Sequence, residues 1–246
     1  MDTSCFVLVH GAYHGAWCWQ KTVDALKDSG CKAFTPTLTG LGDRSYLLSA
    51  EINLSTHIAD VALFMESEDL HDVILVGHSY SGMVISGVAE RSFKRIACLV
   101  YLDSYAPKDG QCVFDLVPDI LPRVTEIAFS GRKVKVLPHP PPQDFGITDP
   151  QDIERAALLL KPMPANCYSE PISLPGNAAG KIRKWYLLSE IQRAGDTSQR
   201  HREAYDAAVG ENWERKVIPG PHDMMVTHPA ELAQILMEIA GKCKPA

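Results

Sequence analysis

Short apolar runs alternate with amphipathic stretches of helical period at both ends of this 246-residue chain. A strand buried on both faces reads as a continuous apolar run, and a helix between two such runs returns the chain for parallel pairing. The pattern therefore predicts an α/β fold: a mostly parallel sheet with helices on both faces. Cys5–Val9 reads as the first strand, followed by a helix over Trp17–Ser29 with Gly30 as its C-terminal cap. A short strand over Ala33–Pro36 precedes a helix over Ser55–Glu66, with Ser55 as N-cap and Ile58, Val61, Ala62 and Met65 facing inward. Asp72–Gly77 is a strand, Tyr80–Arg91 a helix and Ile96–Leu102 a strand. Later come the strand Lys184–Ser189, the helix Ser198–Ala208, the strand Trp213–Ile218 and the helix Pro229–Ala240.

Between Ser104 and Arg183 the alternation stops and most of the prolines collect, among them Pro138, Pro140 to Pro142, Pro162, Pro164, Pro171 and Pro175. Proline lacks a backbone donor, which argues against central strands here. A stretch this long is not a structureless connection in a compact domain. Residues 104–183 are read as an inserted cap, helical near Asp152–Leu160, over a core made of residues 1–103 and 184–246.

The formal charge of −6 comes without the basic stripe that nucleic-acid binding calls for. No secretory signal is visible, and no apolar run approaches the ~20 residues of a membrane-spanning helix. Seven cysteines without a Cys-x-x-Cys pair read as free thiols, so a cytoplasmic protein with no membrane partner is expected. No phosphate loop, dinucleotide fingerprint or metal-ligand cluster is present, and His10 and His14 lack a third ligand nearby. No cofactor and no metal are expected.

Ser79, in Gly77-His78-Ser79-Tyr80-Ser81-Gly82, sits where an apolar strand meets a helix. A sharp strand-to-helix turn lifts such a serine above the sheet, and its neighbours two positions away must be small. Gly77 satisfies this on one side, and Ser81 replaces the usual glycine on the other. His10-Gly11-Ala12 ends the first strand. A serine nucleophile needs amides that stabilise an oxyanion, and those of Ala12 and Tyr80 are the candidates. It also needs a base, and His222 in Pro219-Gly-Pro-His-Asp223 follows the last strand; His228, ahead of Pro229, fits less well.

Val7-Leu-Val-His-Gly-Ala-Tyr-His-Gly-Ala-Trp17, Val76-Gly-His-Ser79 and Gly220-Pro-His-Asp223 together resemble the α/β-hydrolase superfamily. More narrowly, they are similar to its branch of plant methylesterases and hydroxynitrile lyases with their bacterial esterase relatives. The resemblance spans the chain apart from the cap. It implies the hydrolase sheet without the first two strands of larger members, and a Ser-His-acid triad.

The plant aspartate position falls on Ile191, with Glu190 one residue earlier, where strand parity turns a side chain to the other face. Asp103 ends the strand beside that of Ser79, a place from which some α/β-hydrolases draw their acid. Asp103 is favoured and Glu190 is the alternative; Asp196 and Asp223 are outsiders. The lyases of this branch carry threonine where Gly11 stands and lysine where Asp223 stands, so the resemblance implies hydrolysis of a small hydrophobic carboxylic ester. A ligand receptor on the same fold, or a lyase, amidase or lactonase variant, is the alternative. Ala12, Tyr13, Trp17 and Tyr80 are expected to floor the pocket, with Phe114, Leu121 or Phe145 closing it. Arg44 is read first as the partner of a nearby acid and only second as a substrate contact. The resemblance also admits a homodimer.

Overall fold

The computed structural model describes residues 4–191 and 196–243. Six strands form one sheet: β1 (Cys5–Val9), β2 (Lys32–Phe34), β3 (Val73–His78), β4 (Ile96–Leu102), β8 (Arg183–Ser189) and β9 (Trp213–Ile218). Their order is β2-β1-β3-β4-β8-β9, and every pair is parallel. β3 is buried along its whole length, as its run of Val and Leu demands. Because the strands are parallel, their carboxyl ends share one edge, where loops from different parts of the chain meet.

The helices α1 (Gln20–Asp28), α2 (Leu54–Ser67) and α3 (Ser81–Ser92) follow the first three strands, and Pro229–Cys243 closes the described chain. Asn53, not Ser55, caps α2. Its side chain accepts from the Thr56 amide, and the Thr56 hydroxyl oxygen accepts from the Asn53 amide. Ser55 is instead bound through its amide and hydroxyl, each 2.7 Å from the Glu170 carboxylate. Among the described residues no helix is long and apolar enough to cross a membrane.

Between β4 and β8 the chain leaves the main sheet but does not avoid strands. β5 (Thr125–Phe129), β6 (Arg132–Leu137) and β7 (Met163–Pro164) form a small antiparallel sheet. Ser130 and Gly131, both at positive φ, make the two-residue turn of the β5–β6 hairpin. The prolines kept to the periphery: Pro164 pairs only with Val136 in this sheet. The helix predicted here spans Pro150–Leu159, capped by Asp149. The Lys161 amide donates to the Tyr13 carbonyl (2.8 Å) and the Asp223 amide to the Phe145 carbonyl (3.0 Å), joining this segment to the loops above the sheet.

Close packing at the start of α3 explains the elbow sequence. A Cβ at Gly82 would fall 1.8 Å from the Tyr105 carbonyl oxygen, so glycine is required there. Gly82→Ala is expected to lower unfolding stability in urea by ~3 kcal/mol or more. Gly241→Ala is the contrast: its Cβ would meet nothing within 4 Å. Better helix propensity should make that variant neutral, or up to ~1 kcal/mol more stable.

Candidate active site

Ser79 stands at the junction of β3 and α3 with φ of 53°, a left-handed conformation uncommon for a residue with a side chain. Its amide donates to the Leu102 carbonyl (3.1 Å), and its own carbonyl accepts from the amides of Gly82 and Tyr105. A Cβ at Gly77 would lie 2.6 Å from the Ser81 carbonyl oxygen. Ser81 is fully buried, and its hydroxyl donates to the His10 carbonyl, tying α3 to the end of β1. Ser81 therefore does structural work that glycine could not do, while Gly82 meets the need for close approach.

Asp103, directly after β4, is buried and also left-handed, with φ of 43°. Its amide donates to the Leu187 carbonyl at 2.7 Å, and its Oδ1 accepts from the Ser189 amide at 3.0 Å. Oδ2 lies 2.6 Å from Nδ1 of His222, a bond that holds Nε2 free of the tautomeric proton. His201 presents Nδ1 at 3.5 Å from the same oxygen and stacks nearly parallel on His222, ring centres 5.2 Å apart. Burial opposes ionisation of Asp103, but His201 and His222 outweigh it and hold the carboxyl well below the usual carboxylate range.

Glu190 does not compete for this position. Ser189 is buried and faces inward, so the next residue faces out. Glu190 is exposed, and its amide donates to Ile218. Ile191 is also exposed. The Asp196 side chain lies outside the described residues. Arg44 pairs with Asp60 (3.1 Å) and donates to the Thr37 carbonyl, away from the site.

A cavity of about 240 Å³ opens between these loops, lined by Gly11, Ala12, Tyr13, Ser79 and His222 among others. Tyr105, Phe145 and Tyr168 provide much of its aromatic wall. Of the residues expected around it, Ala12, Tyr13 and Phe145 line it, and Trp17, Tyr80, Phe114 and Leu121 do not. Trp17 stacks on His14 outside the cavity lining, and the Tyr80 ring is buried beneath it with its hydroxyl 3.1 Å from His57 Nδ1. Phe114 packs on Tyr168 rather than on the cavity, and Leu121 is solvent-exposed. Amphipathic aromatics pack equally well in a core or a pocket, and only the tertiary path separates the two.

Sequence reasoning missed the histidines. His10 donates from Nδ1 to the Gly11 carbonyl (2.9 Å) and accepts at Nε2 from the Leu38 amide (3.1 Å). Burial pushes its pKa down to about 3. His78 donates from Nε2 to the His222 carbonyl (3.0 Å), and burial keeps it neutral, its pKa well below the ordinary value. His14 and Asp223 form a buried pair at 2.8 Å. The adjacency of His78 to Ser79 and of Asp223 to His222 was the available signal.

Burial also lowers the pKa values of His57 and His201, so four histidines resist protonation in the fold. His14 alone among the described histidines is shifted upward. Below about pH 6.5 the unfolded chain takes up protons that those four refuse, so stability falls as pH drops. His14 acts in the opposite sense, as one group against four. The urea midpoint should therefore be lower at pH 5 than at pH 7.5, and a rise on acidification would contradict this balance.

The sequence profile of the alpha/beta hydrolase family matches residues 6–235. The chain is 37% identical, over 94% of its length and 97% of the relative's, to a carbendazim hydrolyzing esterase of Nocardioides sp.. It is 30% identical to the putative methylesterase 14, chloroplastic, of Arabidopsis thaliana, covering 96% of this chain and 71% of that one. Among solved structures, tomato methylketone synthase I complexed with 2-tridecanone superimposes with a TM-score of 0.79 at 21% identity, over 99% of this chain and 100% of that one. With its profile match running through the strands and loops just described, the chain belongs to the alpha/beta hydrolase family and resembles that family's esterases.

Proposed function

We propose that this protein is a carboxylic ester hydrolase for a small, largely apolar ester, working through Ser79, His222 and Asp103. The observation that carries the reading is the 2.6 Å bond from His222 to a buried, ionised Asp103, at a cavity that Ser79 also lines. In this reading the Ser79 hydroxyl passes its proton to His222 Nε2 as its oxygen bonds to the ester carbonyl carbon. The amides of Ala12 and Tyr80 receive the developing oxyanion, each worth roughly 10²–10³ in rate. His222 then protonates the departing alkoxide, leaving an acyl group on Ser79. Water, deprotonated by His222, releases the acid and regenerates the serine. Asp103 keeps the imidazole in its productive tautomer and balances the transient imidazolium.

The cavity size supports a small substrate. The names of the similar proteins make methyl esters and carbendazim the first substrates to test, and the aromatic wall favours an aromatic group in them. Tyr13, Tyr105, Phe145 and Tyr168 would face the aromatic part. Gly11 supports hydrolysis over lyase chemistry, because a Cβ there would fall 2.9 Å from His78 Nδ1 and 3.0 Å from the Ser79 Cβ. The seven free cysteines favour a reducing compartment.

Ser79→Ala should lower kcat/KM for a short-chain p-nitrophenyl ester by on the order of 10⁴-fold or more. Asp103→Asn should lower kcat by roughly 10⁴-fold through the wrong tautomer, and Glu190→Gln should be neutral. Undiminished turnover by Ser79→Ala would sink the proposal. Tight ligand binding with no Ser79-dependent turnover would favour a receptor.

A further inference from the structure

His14 and Asp223 have no step in the mechanism above, yet both are almost inaccessible, at 1% and 0% exposure, and His14 lines the cavity. His14 Nδ1 is 2.7 Å from the Ala12 carbonyl oxygen, and Nε2 is 2.8 Å from Asp223 Oδ2. A carbonyl oxygen only accepts, so Nδ1 carries a proton. Nε2 therefore either donates to a carboxylate or accepts from a carboxylic acid.

The surroundings favour the first arrangement. Burial works against the charge on His14, but the Asp223 carboxylate and the two hydrogen bonds outweigh it and leave the pKa raised. Burial likewise opposes ionisation of Asp223, and His14 outweighs it in turn, leaving that pKa lowered. The other titratable groups facing the pair are His10, His78, His222 and Cys18. Burial leaves His10 and His78 neutral and keeps Cys18 a thiol.

We propose that His14 is a positioning residue: as an imidazolium bound to Asp223, it locks the loop that presents the Ala12 amide to the loop that carries His222. This rests on the hydrolase reading and goes beyond it. In a trans peptide the carbonyl and the following N–H point in opposite directions, so a donor that holds the carbonyl also aims the amide. His10 holds the Gly11 carbonyl and thereby aims the Ala12 N–H. His14 holds the next carbonyl, that of Ala12, ahead of Tyr13 at φ of 70°. Two successive peptide planes are thus clamped by two buried imidazoles, and the second clamp is anchored across the site. Asp223 is the neighbour of His222 in sequence, and its amide is fixed by the Phe145 carbonyl. The His14 ring is wedged between Trp17, stacked at 5.4 Å, and Phe145, edge-on at 5.0 Å.

The test compares wild type, His14→Gln and Asp223→Asn with 4-nitrophenyl acetate as substrate. It adds inhibition by a benzyl trifluoromethyl ketone, which forms an oxyanion on the serine, and by the matching methyl ketone, which does not readily do so. A misaimed Ala12 amide should lower kcat by roughly 10–100-fold with KM within about threefold. Affinity for the trifluoromethyl ketone should fall in parallel, while that for the methyl ketone is unchanged. A purely structural role would lower the thermal midpoint without this split. In the wild type, ¹⁵N-resolved NMR at pH 7 should show protons on both His14 nitrogens, a readout that needs no variant to fold. A singly protonated ring, or Ser79-dependent turnover with unchanged kcat and trifluoromethyl ketone affinity in His14→Gln, overturns the inference. Ser79-independent turnover by the wild type would instead remove the hydrolase reading beneath it.

Discussion

Ser79 is held in a left-handed conformation that costs about 1–3 kcal/mol for a residue with a side chain, and much of the surrounding architecture serves to keep it there. The amide is tied to the end of β4, and the carbonyl is tied to Gly82 and Tyr105. Gly77 and Gly82 leave room for backbone where any Cβ would collide. The Ser81 hydroxyl bonds the end of β1, where the loop carrying Gly11 and Ala12 begins. A turn this tightly determined can carry a side chain at a defined place above the sheet.

The same edge gathers two buried carboxylates, each matched to histidine. Asp103 answers His222 and His201, and Asp223 answers His14. A buried charge stripped of its partner costs about 3–5 kcal/mol, so each pair constrains both loops that contribute to it. His10 and His78, by contrast, are kept neutral by burial and hold backbone carbonyls as fixed donors. Geometry and protonation are therefore set together: a ring that must donate twice is cationic, and one that donates once and accepts once is neutral.

Much of the frame was legible in the residues. Val73 to Val76 form an unbroken apolar run because β3 is covered on both faces, and Ser79 and His222 were readable because a strand end followed by a loop is a local event. The segment between β4 and β8 was less so. Its hairpin turns on Ser130-Gly131, a two-residue signal flanked by strands of ordinary alternation, and a concentration of prolines nearby masked it. Asn53 and Ser55 are both good capping residues; Asn53 takes the cap through Thr56, and Ser55 bonds Glu170, more than a hundred positions away.

What the sequence by itself determined was the parallel sheet, the serine at its turn and the histidine in the loop after the last strand, since these follow from period, chain reversal and local sterics. What only the tertiary structure decided was partnership. Asp103 rather than Glu190 faces His222, Trp17 supports His14 instead of lining the cavity, and Asp223 meets a histidine 209 positions earlier. The physical reason is that hydrogen bonds and ion pairs across a site join side chains remote in sequence. Their range is a few ångströms, and only the folded path of the chain brings them within it.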